Sequence, residues 1–305
     1  MRVSPLFPLF LRPLRHLQLS AALLRATALE LAILAGHLLL YPSGLTHERH
    51  DPHDGHDGHD GHERDSPGPG PGPKPGKAKL PSPAAATLPT PPGPSHPPVV
   101  MLHGFVDNRS VFVLLRRSLA RHGWRHLECL NYSPLTCDVR VAAELLGNHI
   151  EEICARTGHR QVDIVGHSLG GLIARYYAQR LGGDQRIRTL VTLGTPHSGT
   201  TVAPLASAHP IVRQMRPGSA MIEELRSPAP GCRTRFVSFW SDLDQLMIPV
   251  ETACIDHPDL IAENVRVSGI GHLALPLHPA VAAGIRQALE SSESAATSSG
   301  AFSVA

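Results

Sequence analysis

The sequence predicts an α/β domain over residues 99–290, with a mostly parallel central sheet and helices on both faces. Three observations carry this expectation. Short apolar or β-branched runs alternate with stretches of helical periodicity over about 190 residues, the signature of strand–helix–strand units. One such run, Val162-Asp163-Ile164-Val165, leads through Gly166-His167-Ser168-Leu169-Gly170-Gly171 into a helical stretch at 172–178. The flanking composition is of another kind: His-, Gly- and Pro-rich before residue 99, Ser- and Ala-rich after 290.

In chain order, 99–102 reads as a short apolar strand that ends at His103-Gly104-Phe105, and 111–121 as a helix. A second strand is expected at 127–131. Residues 139–156 place Val141, Leu145, Ile150 and Ile153 at helical spacing. The strand at 162–165 and its helix follow. Residues 187–193 form another strand, leading into Gly194-Thr195-Pro196-His197-Ser198-Gly199-Thr200. The Pro-interrupted stretch 200–230 carries Val202, Leu205, Ile211, Val212, Met215, Met221, Ile222 and Leu225. It reads either as an apolar flap beside the site or as an ordinary excursion packed on the sheet. Strands at 235–240 and 265–267 and a helix at 279–289 close the domain. Residues 291–305 are expected to form a disordered tail.

Residues 1–41 hold Arg2, Arg12, Arg15 and Arg25 before or within an apolar run that Glu30 and His37 interrupt. A charge at the centre of a spanning helix costs roughly 2.5–3.5 kcal/mol. The segment therefore reads as a membrane anchor, a cleaved signal segment or an amphipathic surface helix. Upstream arginines favour an outward-facing remainder, membrane-anchored or secreted. Residues 42–98 form a linker. Within it, His47, His50, His53, His56, His59 and His62 recur at every third position, among aspartates and glycines. A polyproline-II chain would align those imidazoles, so the tract is either a solvated spacer or an adventitious metal binder. No periodic apolar face before residue 95 is expected to join the core of the folded domain, and a 95–305 piece is expected to stay active. A formal net charge of +2 gives no electrostatic case for a nucleic-acid partner. The cysteines Cys129, Cys137, Cys154, Cys232 and Cys254 contain no Cys-x-x-Cys pair; Cys129/Cys137 and Cys232/Cys254 are conceivable disulfides.

The chemistry centres on Gly166–Gly170. A serine on a tight strand-to-helix turn has a strained backbone and an exposed hydroxyl, and flanking glycines spare a collision with neighbouring backbone. Such a nucleophile needs a histidine base and an orienting carboxylate, in the order Ser, acid, His. Asp242 and Asp244 both follow the strand at 235–240; Asp244 is chosen and Asp242 is the runner-up. His272, in Gly269-Ile270-Gly271-His272 between the last strand and last helix, is the base. His278 reads as a helix-start residue; His257, Asp256 and Asp259 rank low. The oxyanion donors are the backbone N–H of Leu169, after the nucleophile, and of Phe105, after the first strand. Each such donor is worth roughly 3 kcal/mol.

Together these segments resemble bacterial α/β-hydrolase lipases. The resemblance is carried by Val99–Phe105, Gly166–Gly171, Thr195–Thr200 and Ser241-x-x-Asp244-x-x-Met247-x-Pro249 with Gly271-His272. The nearest group is the actinobacterial secreted lipase/esterase proteins, related to triacylglycerol lipases and inositol-deacylase-like hydrolases. It covers about residues 98–289. It favours Asp244 as the acid and implies hydrolysis of ester or lipid substrates, no cofactor, no metal at the site, and often a short lid. Met247 stands where Val is commoner. Two other readings remain: an acyltransferase or small-ester esterase with the same triad, and a non-enzymatic surface module that captures metal through its His tract.

Overall fold

The computed structural model describes residues 21, 23–36, 96–105, 107–132, 138–202 and 209–300, all within one compact unit. The His tract, nearly all of the Pro-rich linker and Cys137 lie outside the described residues. Six strands form the sheet: β1 (Val99–Leu102), β2 (Leu127–Leu130), β3 (Val162–His167), β4 (Ile187–Leu193), β5 (Arg235–Ser241) and β6 (Ile261–Val267). Their order is β2-β1-β3-β4-β5-β6 and every pair is parallel. Chain order reverses beside β1, so the carboxyl ends of β1 and β3 part and leave a crevice, where open parallel sheets bind ligands.

Helices cover both faces. An N-terminal helix, α1, spans 23–36. It is followed by α2 (Val113–Arg121), α3 (Val139–Thr157), α4 (Leu169–Arg180), α5 (Pro210–Gln214), α6 (Ala220–Arg226) and α7 (Pro279–Gly300). One apolar layer joins Val100, Ile164 and Leu190 of the sheet to residues of α3 to α6. The other joins Met101, Val165, Val191 and Val237 to Leu115 and Leu119 of α2 and to Val281 and Ile285 of α7. β3 is buried along its whole length, which explains its lack of apolar–polar alternation. Its one charge, Asp163, is fully buried and met by Arg188 of β4 at 2.5 Å. Arg188 Nε adds a bond to the other carboxylate oxygen at 3.0 Å, and the Thr189 N–H donates to that same oxygen at 3.2 Å.

The expected elements all form, with three differences. β6 begins at Ile261, because an edge strand with exposed Ile261, Ala262, Glu263 and Asn264 needs no apolar run. α7 continues past the expected tail boundary at 291 as far as Gly300, since no proline or glycine intervenes to stop it. Residues 301–305 lie outside the described residues. The third difference is a correction: α1 joins the core of the domain. Ala26 is buried, and Ile33 packs on the layer that contains Leu275 and Val281. Among the described residues no helix is long and apolar enough to cross a membrane. Cys232 and Cys254 are separate thiols, as are Cys129 and Cys154.

Candidate active site

Ser168 sits at the junction of β3 and α4 with φ 52° and ψ −117°, the one non-glycine residue with positive φ among the described residues. Such a conformation is costly and persists only where its surroundings enforce it. Here three glycines let neighbouring groups crowd the turn, backbone at Gly166 and Gly170 and the Thr195 side chain at Gly171. A Cβ on Gly170 would lie 2.3 Å from the Leu102 carbonyl oxygen, and one on Gly166 would lie 2.6 Å from Gly171 N. On Gly171 it would lie 2.0 Å from Thr195 Oγ1. The residue as a whole is enclosed: Ser168 keeps 9% of its surface. The cause is the wall around it. Ser168 lines a cavity of about 260 Å³ together with Phe105, Val202, Val212, Met215, Leu246, Met247 and His272.

The structure brings His272 and Asp244 together. His272 Nδ1 lies 2.7 Å from Asp244 Oδ2, both side chains being nearly inaccessible. Asp244 Oδ1 accepts from the N–H groups of Leu246 and Met247 at 2.9 and 3.0 Å, which fixes the carboxylate's plane. With Nδ1 donating to the carboxylate, the acceptor lone pair is on Nε2. Burial disfavours the imidazolium. The Asp244 charge and hydrogen bond, with Asp107 and Glu30 further off, outweigh that effect and raise the His272 pKa above the ordinary histidine value. The runner-up Asp242 is engaged elsewhere. It pairs with Arg266 at 2.8 Å and accepts from Gly269 N at 3.3 Å. His257 meets the Ser227 carbonyl, Asp259 accepts from Ala229 N, and His278 opens α7 by accepting from Ala282 N.

Of the two expected oxyanion donors, Leu169 begins α4, so its N–H belongs to the helix's unpaired first turn. Phe105 follows Gly104, whose Cβ would lie 3.2 Å from Ser168 Cβ, so the loop after β1 passes against Ser168. The stretch 200–230 supplies part of the cavity wall through Val202, Val212 and Met215. Its helices also pack inward. Ile211, Met221, Ile222 and Leu225 are fully buried or nearly so, and Glu224 of α6 binds Arg140 of α3 and Tyr176 of α4.

Several polar residues at the site are not announced by the sequence. Beneath the elbow, His167 Nδ1 lies 2.8 Å from Asp107 Oδ2, and its Nε2 lies 3.2 Å from the His272 carbonyl. Arg175 of α4 is buried and bonds the carbonyls of His197 and Leu225; burial, with Arg180 and Arg226 nearby, lowers its pKa to about 9. It thereby ties the turn 195–200 to α6. Glu30 of α1 accepts from the N–H groups of Leu273 and Ala274. His167 and His197 lie inside the elbow and the Thr195–Thr200 motif, so those motifs are the available signal for the first two sets of contacts. Among the described residues no three His, Cys, Asp or Glu side chains are grouped as a metal site.

A parallel sheet reversed beside β1, with a strained serine elbow at the end of β3, defines an α/β-hydrolase fold. Comparison agrees with that fold: residues 97–220 match the family described as alpha/beta hydrolase fold. It is similar to triacylglycerol lipases of Pseudarthrobacter phenanthrenivorans and Burkholderia plantarii, each 30% identical over 114 residues, or 35% of this chain. That match spans 35% and 31% of those relatives, about a third of their length. Among solved structures, Aspergillus fumigatus lipase B superposes with a TM-score of 0.55 at 15% identity, covering 61% of this chain and 51% of that one. The mature form of a Bacillus licheniformis lipase gives 0.52 at 17% identity, covering 61% and 88%. At such identities these structures support the fold.

Proposed function

We propose that the chain is a serine hydrolase that cleaves carboxylic esters of lipids through an acyl-enzyme. The observation that carries the reading is the buried His272–Asp244 pair, with His272 sharing a largely apolar cavity with the strained Ser168. His272 Nε2 takes the Ser168 proton as Oγ attacks the ester carbonyl, and Asp244 stabilises the imidazolium that forms. The N–H groups of Phe105 and Leu169 hold the oxyanion. The imidazolium then protonates the departing alkoxide, leaving Ser168 acylated. Water, deprotonated by His272, attacks the acyl carbonyl; collapse of the second tetrahedral intermediate returns the proton to Ser168 and frees the acid. This sequence of steps calls for no cofactor.

Support for an acyl-chain substrate comes from Phe105, Val202, Val212, Met215 and Leu246 on the cavity wall, which match a hydrocarbon chain, and from the similarity to triacylglycerol lipases. Support for work outside the cytosol comes from the arginines that precede the apolar run at 17–41; because α1 of that run packs on the domain, the form proposed is exported with the helix retained. Fractionation of cells carrying a C-terminally tagged chain tests the location; full-length tag in the cytosol overturns it. The chemistry is tested with a fluorophosphonate probe and a p-nitrophenyl ester series. The wild type should label at Ser168, and Ser168→Ala should lose both label and several orders of magnitude of activity with an unchanged melting temperature. Full activity in Ser168→Ala sinks the proposal.

A further inference from the structure

We propose that α1 is a positioning element of this site, its Glu30 carboxylate holding the backbone of the His272 loop in place. The inference rests on the serine-hydrolase reading above. Glu30 Oε2 accepts from Leu273 N at 2.9 Å and Oε1 from Ala274 N at 3.1 Å. These are the two amides directly after His272. They open a tight turn closed by Leu275 N on the His272 carbonyl at 3.4 Å, and opening amides of a turn have no partner within it. A carboxylate with one oxygen on each amide fixes both position and orientation of the turn, through charge-assisted bonds.

Two further observations point the same way. A Cβ on Gly271 would lie 2.5 Å from Glu30 Cδ and 2.6 Å from its Cγ and Oε1. Gly269 is in the left-handed region, at φ 84°, and Gly271 is not. The bare Cα of Gly271 therefore serves close approach of Glu30, while Gly269 turns the chain. Next, α1 reaches the other half of the pair. Gln245 Nε2 donates to Thr27 Oγ1 at 2.8 Å, one residue after Asp244. Ala26, Thr27, Glu30 and Ile33 thus form one docked face of α1, at helical spacing. Glu30 touches neither Ser168 nor the cavity wall, so it acts through the loop.

The His272 ring is faced by Asp244 after β5, by Asp107 and His167 at the elbow, and by Glu30 from α1. Removing the Glu30 charge destabilises the imidazolium, so the acid limb of the rate profile moves to lower pH. The test compares full-length wild type with Glu30→Gln, Gly271→Ala, Ile33→Ala and the double variant Glu30→Gln/Gly271→Ala. The readouts are p-nitrophenyl ester kinetics from pH 5 to 9, melting temperature and fluorophosphonate labelling. Glu30→Gln should lower kcat on the order of tenfold at nearly constant KM, as a misplaced catalytic group does, and move the acid limb down. Gly271→Ala should reproduce the kcat loss by displacing the carboxylate, and the double variant should be no worse than Glu30→Gln. Wild-type kcat and acid limb in Glu30→Gln overturn the proposal. So does an equal kcat loss in Ile33→Ala and Glu30→Gln with no pH shift in either, which would make α1 mere packing. Should Glu30→Gln melt early, Gly271→Ala decides between the same two outcomes. A wild type that neither labels at Ser168 nor turns over ester refutes the hydrolase reading instead, which keeps the two failures distinct.

Discussion

The Ser168 elbow and the His272 loop meet at one cavity but are held by opposite means. The elbow is fixed by close packing at its own glycines: Gly166 and Gly170 lie against the backbone of Gly171 and Leu102, and Gly171 against the Thr195 side chain. The His272 loop has little local support. Its ring is held by Asp244, its carbonyl by His167 and its next two amides by Glu30, from three separate parts of the chain. A nucleophile whose backbone is strained needs contacts that cannot relax, and close-packed backbone supplies them. A base that must accept and return a proton needs a tuned charge environment, and that is assembled from remote side chains.

The largest break in this comparison is at the remote end. Asp244→Asn leaves the elbow intact but disrupts the tautomer of His272, and should cost on the order of a thousandfold or more in kcat. Asp242→Asn, which loses only the Arg266 and Gly269 contacts, should stay within a few-fold of wild type. Steady-state kinetics of the two variants checks the assignment, and the reverse ranking would move the acid by two positions.

Next comes a test of local against remote support. Gly170→Ala drives a methyl group into the Leu102 carbonyl and should destabilise the fold by about 1–3 kcal/mol, read as a lower melting temperature. Gly271→Ala meets only a side chain and should leave the melting temperature within about a degree or two while kcat falls. Equal melting losses would erase the distinction.

A piece spanning 95–305 removes α1 and with it Glu30, Thr27, Ala26 and Ile33. It should fold, because both apolar layers draw mainly on later elements, yet show kcat lowered roughly tenfold. The loss qualifies the expectation that a 95–305 piece stays active. Undiminished kcat in the purified piece would return α1 to a bystander.

The smallest effect is a shift along the pH axis. In the proposed role His272 must be neutral to accept the serine proton, and its pKa lies above the ordinary histidine value. Protonation at lower pH removes the base, so kcat/KM should rise with pH along a limb centred above about pH 6.5. A limb centred below that value would mean that burial outweighs the carboxylates around the ring.

The same contrast explains what is legible in the sequence. The elbow, the parallel-sheet class and the place of His272 can be read because each depends on neighbours: Gly-x-Ser-x-Gly after Val162–Val165, and His272 between the last strand and helix. β6 is legible only from Val265, since its exposed Ile261–Asn264 end pairs through backbone. The Asp107–His167 pair joins residues 60 positions apart: the elbow motif holds His167, but no local pattern announces Asp107. In the sequence Glu30 looks like a flaw in an apolar run. Its meaning lies in sharing a helix face with Ala26 and Ile33, a spacing visible in the sequence but interpretable only once a partner 243 positions away is known.

That separation has a consequence for chain cleavage. Residues 47–94 fall between Glu30 and the domain that it serves. A single cut there removes no group of the site, yet it turns an intramolecular contact into an encounter between two pieces. The carboxylate's occupancy of Leu273 and Ala274 would then follow the concentration of the freed N-terminal fragment, and dilution alone would undo it.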